Sequence, residues 1–466
     1  MPTTPKQTKP ISEMPTAKVL NELTKGISNV TPGVSIPSVV DGDVSTLRAL
    51  GNVITEYKPA KNAFIDALVN RIMTVRITSI SYENPWAFVK QGIMELGETV
   101  EEIFIEMAKP YQYNPEDAET TLYKRYTPDV KSVFHSVNFK KFYPMTISDY
   151  DLRNAFLSFG AMDDFITKCI EQVYTGANFD EFQTMKYLIA RCALQGEIKA
   201  ESVPAITKEN AQEVTQKMVE IAKNMQFPST KYNFMNVTNF TDPSYLCTFL
   251  TTKAESIFDV NVLAMAFNME KAELIGRQVS VDGFGDFDNE RLALLFAEDP
   301  YTDFKPFSES ELKQLSSIVG LMVDKRWFMI FDNLIQMEDA KNGKGLYLNY
   351  FYHVWKMFSI SPFHNAVLFT SDPVAVSKVT VTPPTVTTPA GVDLLVRADV
   401  TATGFADKSV KWEITGNTGE TELIINPNDN KVVTVRLGKT QSAQVTVTAT
   451  SVLDPTKKAT STITIG

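Results

Sequence analysis

The sequence predicts an α+β body followed by an all-β sandwich, and three observations carry that expectation. Apolar residues recur at helical spacing in long stripes between Ser45 and Met225. The aromatic-rich stretch Leu321–Thr370 reads as three strands, Trp327–Phe331, Leu346–Ile360 and Asn365–Phe369. After Ser371 the composition shifts abruptly to short β-branched segments separated by turn residues.

At 466 residues the chain has room for two or three domains and a sizeable core. A hydrophobic fraction of 44% and a charged fraction of 21% are those of an ordinary globular protein. Three cysteines, Cys169, Cys192 and Cys247, are too few and too isolated for a disulfide framework, which points to a reducing site of folding. The first twenty residues hold no apolar segment of a signal peptide, and no later run approaches the roughly 20 apolar residues that span a bilayer. A formal net charge of −10 argues against a protein whose task is gripping nucleic acid, yet is compatible with a wall that encloses a polyanion.

Taken in order, residues 1–44 are rich in Pro and Thr with scattered single apolars, the composition either of an arm that orders against something else or of a flexible leader with no role. A helix is expected from Ser45 to Met73, with Phe64, Ile65, Leu68, Val69, Ile72 and Met73 on one stripe, and Val75, Ile77 and Ile80 then suggest a strand. Residues 85–128 read as a long acidic hairpin or extended loop. Here Glu95, Glu98, Glu101, Glu102 and Glu106 crowd together, while Ile103, Ile105 and Met107 share one face of an alternating pattern. Paired carboxylates invite a glycosidase or metal reading, but nothing selects two of the five, and a solvated charged face outweighs it.

Phe134–Tyr143 is an aromatic strand region that Pro144 breaks. Ser148 has the position of an N-cap, with Asp149 and Asp151 in the first turn and a long helical stripe to Val173 that Gly160 should bend. A second helix carries Phe182, Met185, Ile189 and Cys192; a third, opening near Thr207, carries Val214, Met218, Ile221 and Met225. These Met and Cys positions are core fillers rather than redox or metal groups. Short helices follow between Ser244 and Ile275, with Val262, Leu263, Ala266 and Phe267 as the buried side, then a strand at Gln278–Asp282. Asp286, Asp288 and Glu290 have the alternate spacing of a calcium loop, but Arg291 stands where that loop needs Gly and Ala297 where it needs Glu. Residues 285–317 are an acidic, loop-rich insertion with one helical piece, Leu292–Phe296.

The strand Leu346–Ile360 carries large side chains on both faces, so core should cover one and a neighbouring subunit the other. VTVTPPTVTTPAG then opens the tail like a linker, and strands are expected at Leu394–Val400, Val410–Ile414, Val432–Leu437, Val445–Thr450 and Thr460–Ile465, around Trp412. Val379–Gly466 holds eight Lys plus Arg and eight Asp plus Glu, so this module is neutral, should fold independently, and leaves the whole net charge to the part before it.

Enzyme signatures are missing. His135, His353 and His364 have no metal-helix spacing, and there is no GxSxG elbow, Walker loop or GxGxxG after a strand. DGFG at 282–285 lacks the rest of a kinase. The sequence therefore assigns no catalytic, cofactor or metal residue.

VDKRWFMIFDNL (323–334), GLYLNYFYHVW (345–355), NAV (365–367), DVNVLAMAFNM (259–269) and VDGFG (281–285) closely resemble the major capsid protein of small short-tailed phages of the Picovirinae type. LGETVEEIF (96–104), VKSVFH (130–135) and FYPMTISD (142–149) fit the same family in the same order. The resemblance implies an HK97-like shell subunit: an N-terminal arm in 1–44, and a body in 45–376 with its E-loop near 85–128, a P-domain with a spine helix near 148–173, and an A-domain. The tail, 377–466, resembles a bacterial Ig-like group 2 (BIG2) module. The implied function is self-assembly of a late podovirus virion protein, made in the host cytoplasm, into an icosahedral or prolate capsid. Its implied partners are itself as pentamers and hexamers, a scaffolding protein, the portal and head fibres. The shell would enclose double-stranded DNA without sequence-specific binding, and no membrane is involved. Glu95, Glu98, Glu101, Glu102 and Glu106 are then candidates for a self-assembly interface. A head-fibre or surface adhesin using the Ig-like module is the rival from another class.

Overall fold

The computed structural model describes residues 16–25, 35–75, 83–94, 97, 99–111, 115, 122–123, 126, 128, 130–162, 165, 171–262, 277–297, 299–300, 305–417, 420–426 and 429–466. The chain forms two compact units, one of Met1–Phe88, Asn138–Gln183 and Asp332–Lys356, the other of Val89–Val137, Thr184–Phe331 and Met357–Gly466.

In the first unit, the helix expected over 45–73 is two helices preceded by a shorter one: α1 (Thr16–Lys25), α2 (Val44–Glu56) and α3 (Lys58–Val75). Asp43 caps α2, its side chain accepting from Ser45 N at 2.9 Å, and Tyr57 takes an extended conformation that closes it. Pro59 then stands in the first turn of α3, where its missing N–H leaves no bond unmade. Val75 ends α3 rather than opening a strand, and Ile77 and Ile80 lie outside the described residues.

Ser148 caps α4 (Asp149–Ala155) as expected, accepting from Asp151 N at 3.0 Å. The single long helix expected to Val173 is not formed: the backbone turns at Phe156 and Leu157 and becomes helical again at Phe159. Packing explains the break. Phe156 is buried against Phe64, with ring centroids 5.5 Å apart, and against Gly51 of α2, where a Cβ would come within 2.6 Å of it. Ser158 starts the next turn by accepting from Ala161 N at 3.1 Å. Cys169 is outside the described residues. A π-helical turn at Glu171–Thr175 leads into α5 (Gly176–Gln195), the helix expected around Phe182 and Cys192.

β4 (Phe139–Ser148) runs straight through Pro144 and pairs antiparallel with β10 (Tyr347–Ile360), Phe351 facing Pro144. It forms the edge of a sheet of order β1-β9-β10-β4, with β1 at Gly92–Ile93 and β9 at Phe328–Asn342, so the proline's lack of an N–H costs no ladder bond. On β10, Leu348, Tyr350, Tyr352, Val354 and Lys356 are buried, while Tyr347, Phe351, His353 and Trp355 are half-buried. Within one chain this strand is covered on one face and partly open on the other. The buried Lys356 ammonium is paired with Glu181 and, at 2.9 Å, with Asp332, and Asn84 Nδ2 donates to Glu181 at 2.7 Å. A buried cation survives only with such compensation.

The second unit is built on β5 (Lys199–Ser202), β6 (Leu246–Thr251), β7 (Arg277–Val281), β8 (Ile318–Asp324) and β11 (Ala366–Thr370), ordered β5-β11-β8-β6-β7. The inner pairs are antiparallel and the two outer pairs parallel. Val214, Met218 and Ile221 of α6 (Ala211–Asn224) and Phe258 of α7 (Thr252–Val262) cover one face, against Leu250, Met322 and Phe369. The side chains of Val262, Leu263, Ala266 and Phe267, expected as a buried face, lie outside the described residues. β8 is a strand that the expected set lacks, a short continuous apolar run whose periodicity does not separate strand from helix.

Two helices occupy 285–317 where one was expected, α8 (Asn289–Phe296) and α9 (Glu309–Leu315), the second opened by a Ser308/Glu311 capping box. Asp288 caps α8, accepting from Arg291 N at 2.9 Å, and Lys186 Nζ binds Asp282 at 2.7 Å and the Asp286 carbonyl at 2.5 Å. Two of the polar groups with calcium-loop spacing thus have intramolecular partners, and no cluster of three or more ligand side chains is placed for a metal among the described residues. Cys192 and Cys247 are free and buried; burial pushes the first thiol well up and the second to about 11, which keeps both protonated and inert. Among the described residues no helix is long and apolar enough to cross a membrane.

The tail is a sandwich of two four-stranded sheets around Trp412, Val396, Val433, Val447 and Ile463. One sheet orders β12 (Ala375–Thr382), β14 (Asp393–Thr403), β17 (Val432–Arg436) and β16 (Glu422–Ile425); the other orders β13 (Thr385–Thr388), β19 (Lys458–Ile465), β18 (Val445–Ser451) and β15 (Val410–Thr415). The linker-like opening is therefore two strands, because Val376, Val379 and Val381 are buried and β12 pairs with β14. The tail shares one compact unit with β5 and its neighbours. Lys199 pairs with the buried Asp407 and, at 2.9 Å, with Asn236, and Gln314 Nε2 donates to the Gly404 carbonyl at 2.9 Å.

Candidate assembly surface

β2 (Thr99–Ile105) and β3 (Val130–Ser136) form a two-stranded antiparallel hairpin in the second unit. Alternation along each strand gives it two faces. Glu101 opposite Phe134, Ile103 opposite Ser132 and Ile105 opposite Val130 lie on one; Val100 opposite His135, Glu102 opposite Val133 and Phe104 opposite Lys131 lie on the other. The first face is open. Its apolar side chains run from 50% exposed at Val130 to 65% at Phe134, with Ile103, Ile105 and the following Met107 between. Exposed apolar side chains gathered on one face are the kind of surface on which another chain can dock.

The second face is fastened to its own unit. Phe104 stacks on Phe363 at 5.3 Å, and Glu102 is the centre of a polar cluster. One Glu102 oxygen accepts from Ser361 Oγ at 2.6 Å and lies 3.9 Å from His364 Nε2; the other is 3.2 Å from His135 Nε2. His135 Nδ1 meets Ser359 Oγ at 2.7 Å. His364 Nδ1 is 4.0 Å from Asp324, which Arg326 grips through two bonds of 3.0 and 2.7 Å. Burial holds the His364 pKa below its ordinary value; the Arg326 charge works in the same direction, and Asp324 and Glu102 oppose both.

The five candidate glutamates are not equivalent. Glu101 faces outward beside the apolar strip, Glu102 is turned into the cluster, Glu106 lies 3.9 Å from Lys131, and Glu95 and Glu98 fall outside the described residues. Sequence reasoning missed His135, Ser361 and His364 around Glu102, and Ser359 and Asp324 behind them, since the chain separates Glu102 from His135 by 33 residues and from Ser361 by 259. Alternation within TVEEIFI, which turns adjacent glutamates to opposite faces, was the signal that could have split the set. A Ser–His–Glu series occurs here, but His135 is 3% exposed beneath the hairpin, and the arrangement holds strands together rather than presenting a nucleophile.

The profile of the Phi29-like phage major capsid protein family matches residues 20–370, which is most of the chain and ends with β11. The chain belongs to that family. It is 33% identical over 414 residues to the major capsid protein of Bacillus phage B103, covering 88% of this chain and 84% of that one. It is 33% identical over 398 residues to the major capsid protein of Bacillus phage PZA, covering 83% of this chain and 82% of that one. Among solved structures, the capsid of Staphylococcus phage Andhra aligns with a TM-score of 0.50 at 18% identity, over 64% of this chain and 86% of that one, a likeness of fold alone. As a capsid subunit the chain joins other copies, and the hairpin's outer face is exposed in the single chain. Its relatives are structural proteins, and no enzyme family is indicated.

Proposed function

We propose that this chain self-assembles as the subunit of a phage head shell, and that the outer face of the β2–β3 hairpin is one of the surfaces by which copies join. The family match over residues 20–370 carries the shell reading, and the exposed strip of Ile103, Ile105, Met107, Val130 and Phe134 supports the contact. Glu101 rims that strip, while Glu102 reaches Ser361 outside the hairpin and Glu106 lies near Lys131 within it; of the described glutamates, Glu101 is the one this reading assigns to a contact with a neighbour.

An HK97-like plan fits: an arm in 1–44, an E-loop near 85–128 that takes in β2, with β3 just beyond it, and a spine helix better supplied by the twenty-residue α5 than by the interrupted segment 148–173. The sandwich is read as an Ig-like module on the outer face. Identical copies in pentamers and hexamers make similar contacts at slightly different angles, which suits a contact made by a two-stranded hairpin. Scaffolding protein, portal and head fibres are the further partners this reading brings, with double-stranded DNA inside an acidic wall that does not trap it. Electron microscopy of the expressed protein, with and without a scaffolding partner, tests the reading. Shells or capsomers are expected, and a strictly monomeric protein under every assembly condition would overturn it.

A further inference from the structure

A cleft of about 1260 Å³ lies in the second unit between β3, the loop 230–236 and the sandwich. Residues of three strands that end their sheets line it, beside Thr450 and Ser451 of β18. β3 belongs to a sheet of only two strands, β15 ends one sheet of the sandwich, and β16 ends the other. The lining includes Val130 through Ser132 and Val410 through Glu413 as consecutive residues. β15 is the outermost strand of its sheet, so one of its edges has no strand paired to it among the described residues and carries main-chain N–H and C=O groups able to pair.

The side chains add a charge preference and a waiting acceptor. Lys131, Lys231 and Lys411 face the single lining carboxylate, Glu413. Lys411 is 3.2 Å from Glu413 and Lys131 is 3.9 Å from Glu106, whereas Lys231 has no acidic partner among the described residues. Asn430, only 6% exposed, accepts Trp412 Nε1 on its backbone carbonyl at 2.7 Å, yet its side-chain oxygen is buried without any hydrogen-bond partner. A buried acceptor left in that state is unfavourable and calls for a donor from an occupant.

We propose that this cleft takes an extended acidic peptide segment of a partner chain by strand addition along β15, with its carboxylates toward the lysines and an N–H toward Asn430. Main-chain pairing supplies affinity in such a site, and the charged walls supply the preference. Trp412 is buried and offers no open ring face for a sugar, so the cleft is suited to backbone rather than to carbohydrate.

The experiment is fluorescence anisotropy of a labelled eight-residue peptide of alternating Thr or Val and Glu against the full-length protein. Saturable binding is expected. It should weaken at least tenfold when alternate peptide nitrogens are methylated, when Glu is replaced by Lys in the peptide, and in the exposed-site variant Lys231→Glu. No saturable binding by protein with a native thermal transition would overturn the proposal. Equal binding of the N-methylated peptide would overturn strand addition, and equal binding of the Lys-bearing peptide would overturn the acidic preference. None of these outcomes depends on whether shells form.

Discussion

Glu102 on β2 accepts a hydrogen bond of 2.6 Å from Ser361, the residue that follows β10, so the root of the hairpin is latched to the body by a carboxylate. Glu102→Ala leaves Ser361 and His135 without that partner, and should lower the unfolding free energy of the unassembled chain by about 1–3 kcal/mol. Glu101→Lys, one residue away on the open face, should change it by less than about 0.5 kcal/mol. Urea unfolding of both variants checks this; equal effects would mean that the hairpin's two faces are not distinct.

The open face makes the complementary prediction. Ile103→Asp with Ile105→Asp removes apolar surface that is exposed in the single chain, so the melting temperature of the monomer should hold while shells or capsomers disappear from micrographs. Assembly at the level of the parent protein would show that copies join elsewhere.

The contrast between those two predictions shows what the sequence makes legible. Period-two alternation in TVEEIFI and the β-branched tail, the Ser148 cap, and the helices around Met185 and Met218 are local signals, and they appear where expected. What depends on tertiary contact is not local. The turn at Phe156 follows from a ring seated against Gly51, and Pro144 is tolerated because β4 is an edge strand. The Glu102 cluster joins residues that only the fold brings together, and no composition or spacing rule reports it.

His364 gives the cluster a pH dependence. Its folded pKa lies below the ordinary value of 6.5, chiefly through burial, so as pH falls through 6.5 the unfolded chain takes up a proton before the folded one. Stability then rises with pH across the window between the depressed pKa and 6.5, and is lost on acidification through it. Glu197 acts in the opposite sense, since burial raises its carboxyl above 4.5 and folding then binds the extra proton. The difference between the parent protein and His364→Gln isolates the histidine: from pH 7.5 to 5, the parent should lose more unfolding free energy than the variant. Parallel profiles would remove His364 as the source.

The pairing of Lys199 with Asp407 sets the behaviour of the tail. Asp407 is 3% exposed in its side chain and also accepts from Ser409 N at 2.8 Å and Ser409 Oγ at 2.7 Å, so Lys199→Ala leaves a buried carboxylate without its cation. Such a loss typically costs about 3–5 kcal/mol. If the sandwich keeps its own core around Trp412 and Val447, the strain is relieved by releasing it rather than by unfolding it, because water then solvates the carboxylate. Limited proteolysis of Lys199→Ala should therefore cut near Ser371–Pro373 well before the parent protein is cut, and yield two resistant fragments. Truncation after Ser371 removes Asp407 altogether and exposes Lys199 to water, a milder change for the body. A shell subunit so truncated should still assemble, whereas an adhesin acting through the sandwich would lose its binding while its body stayed folded.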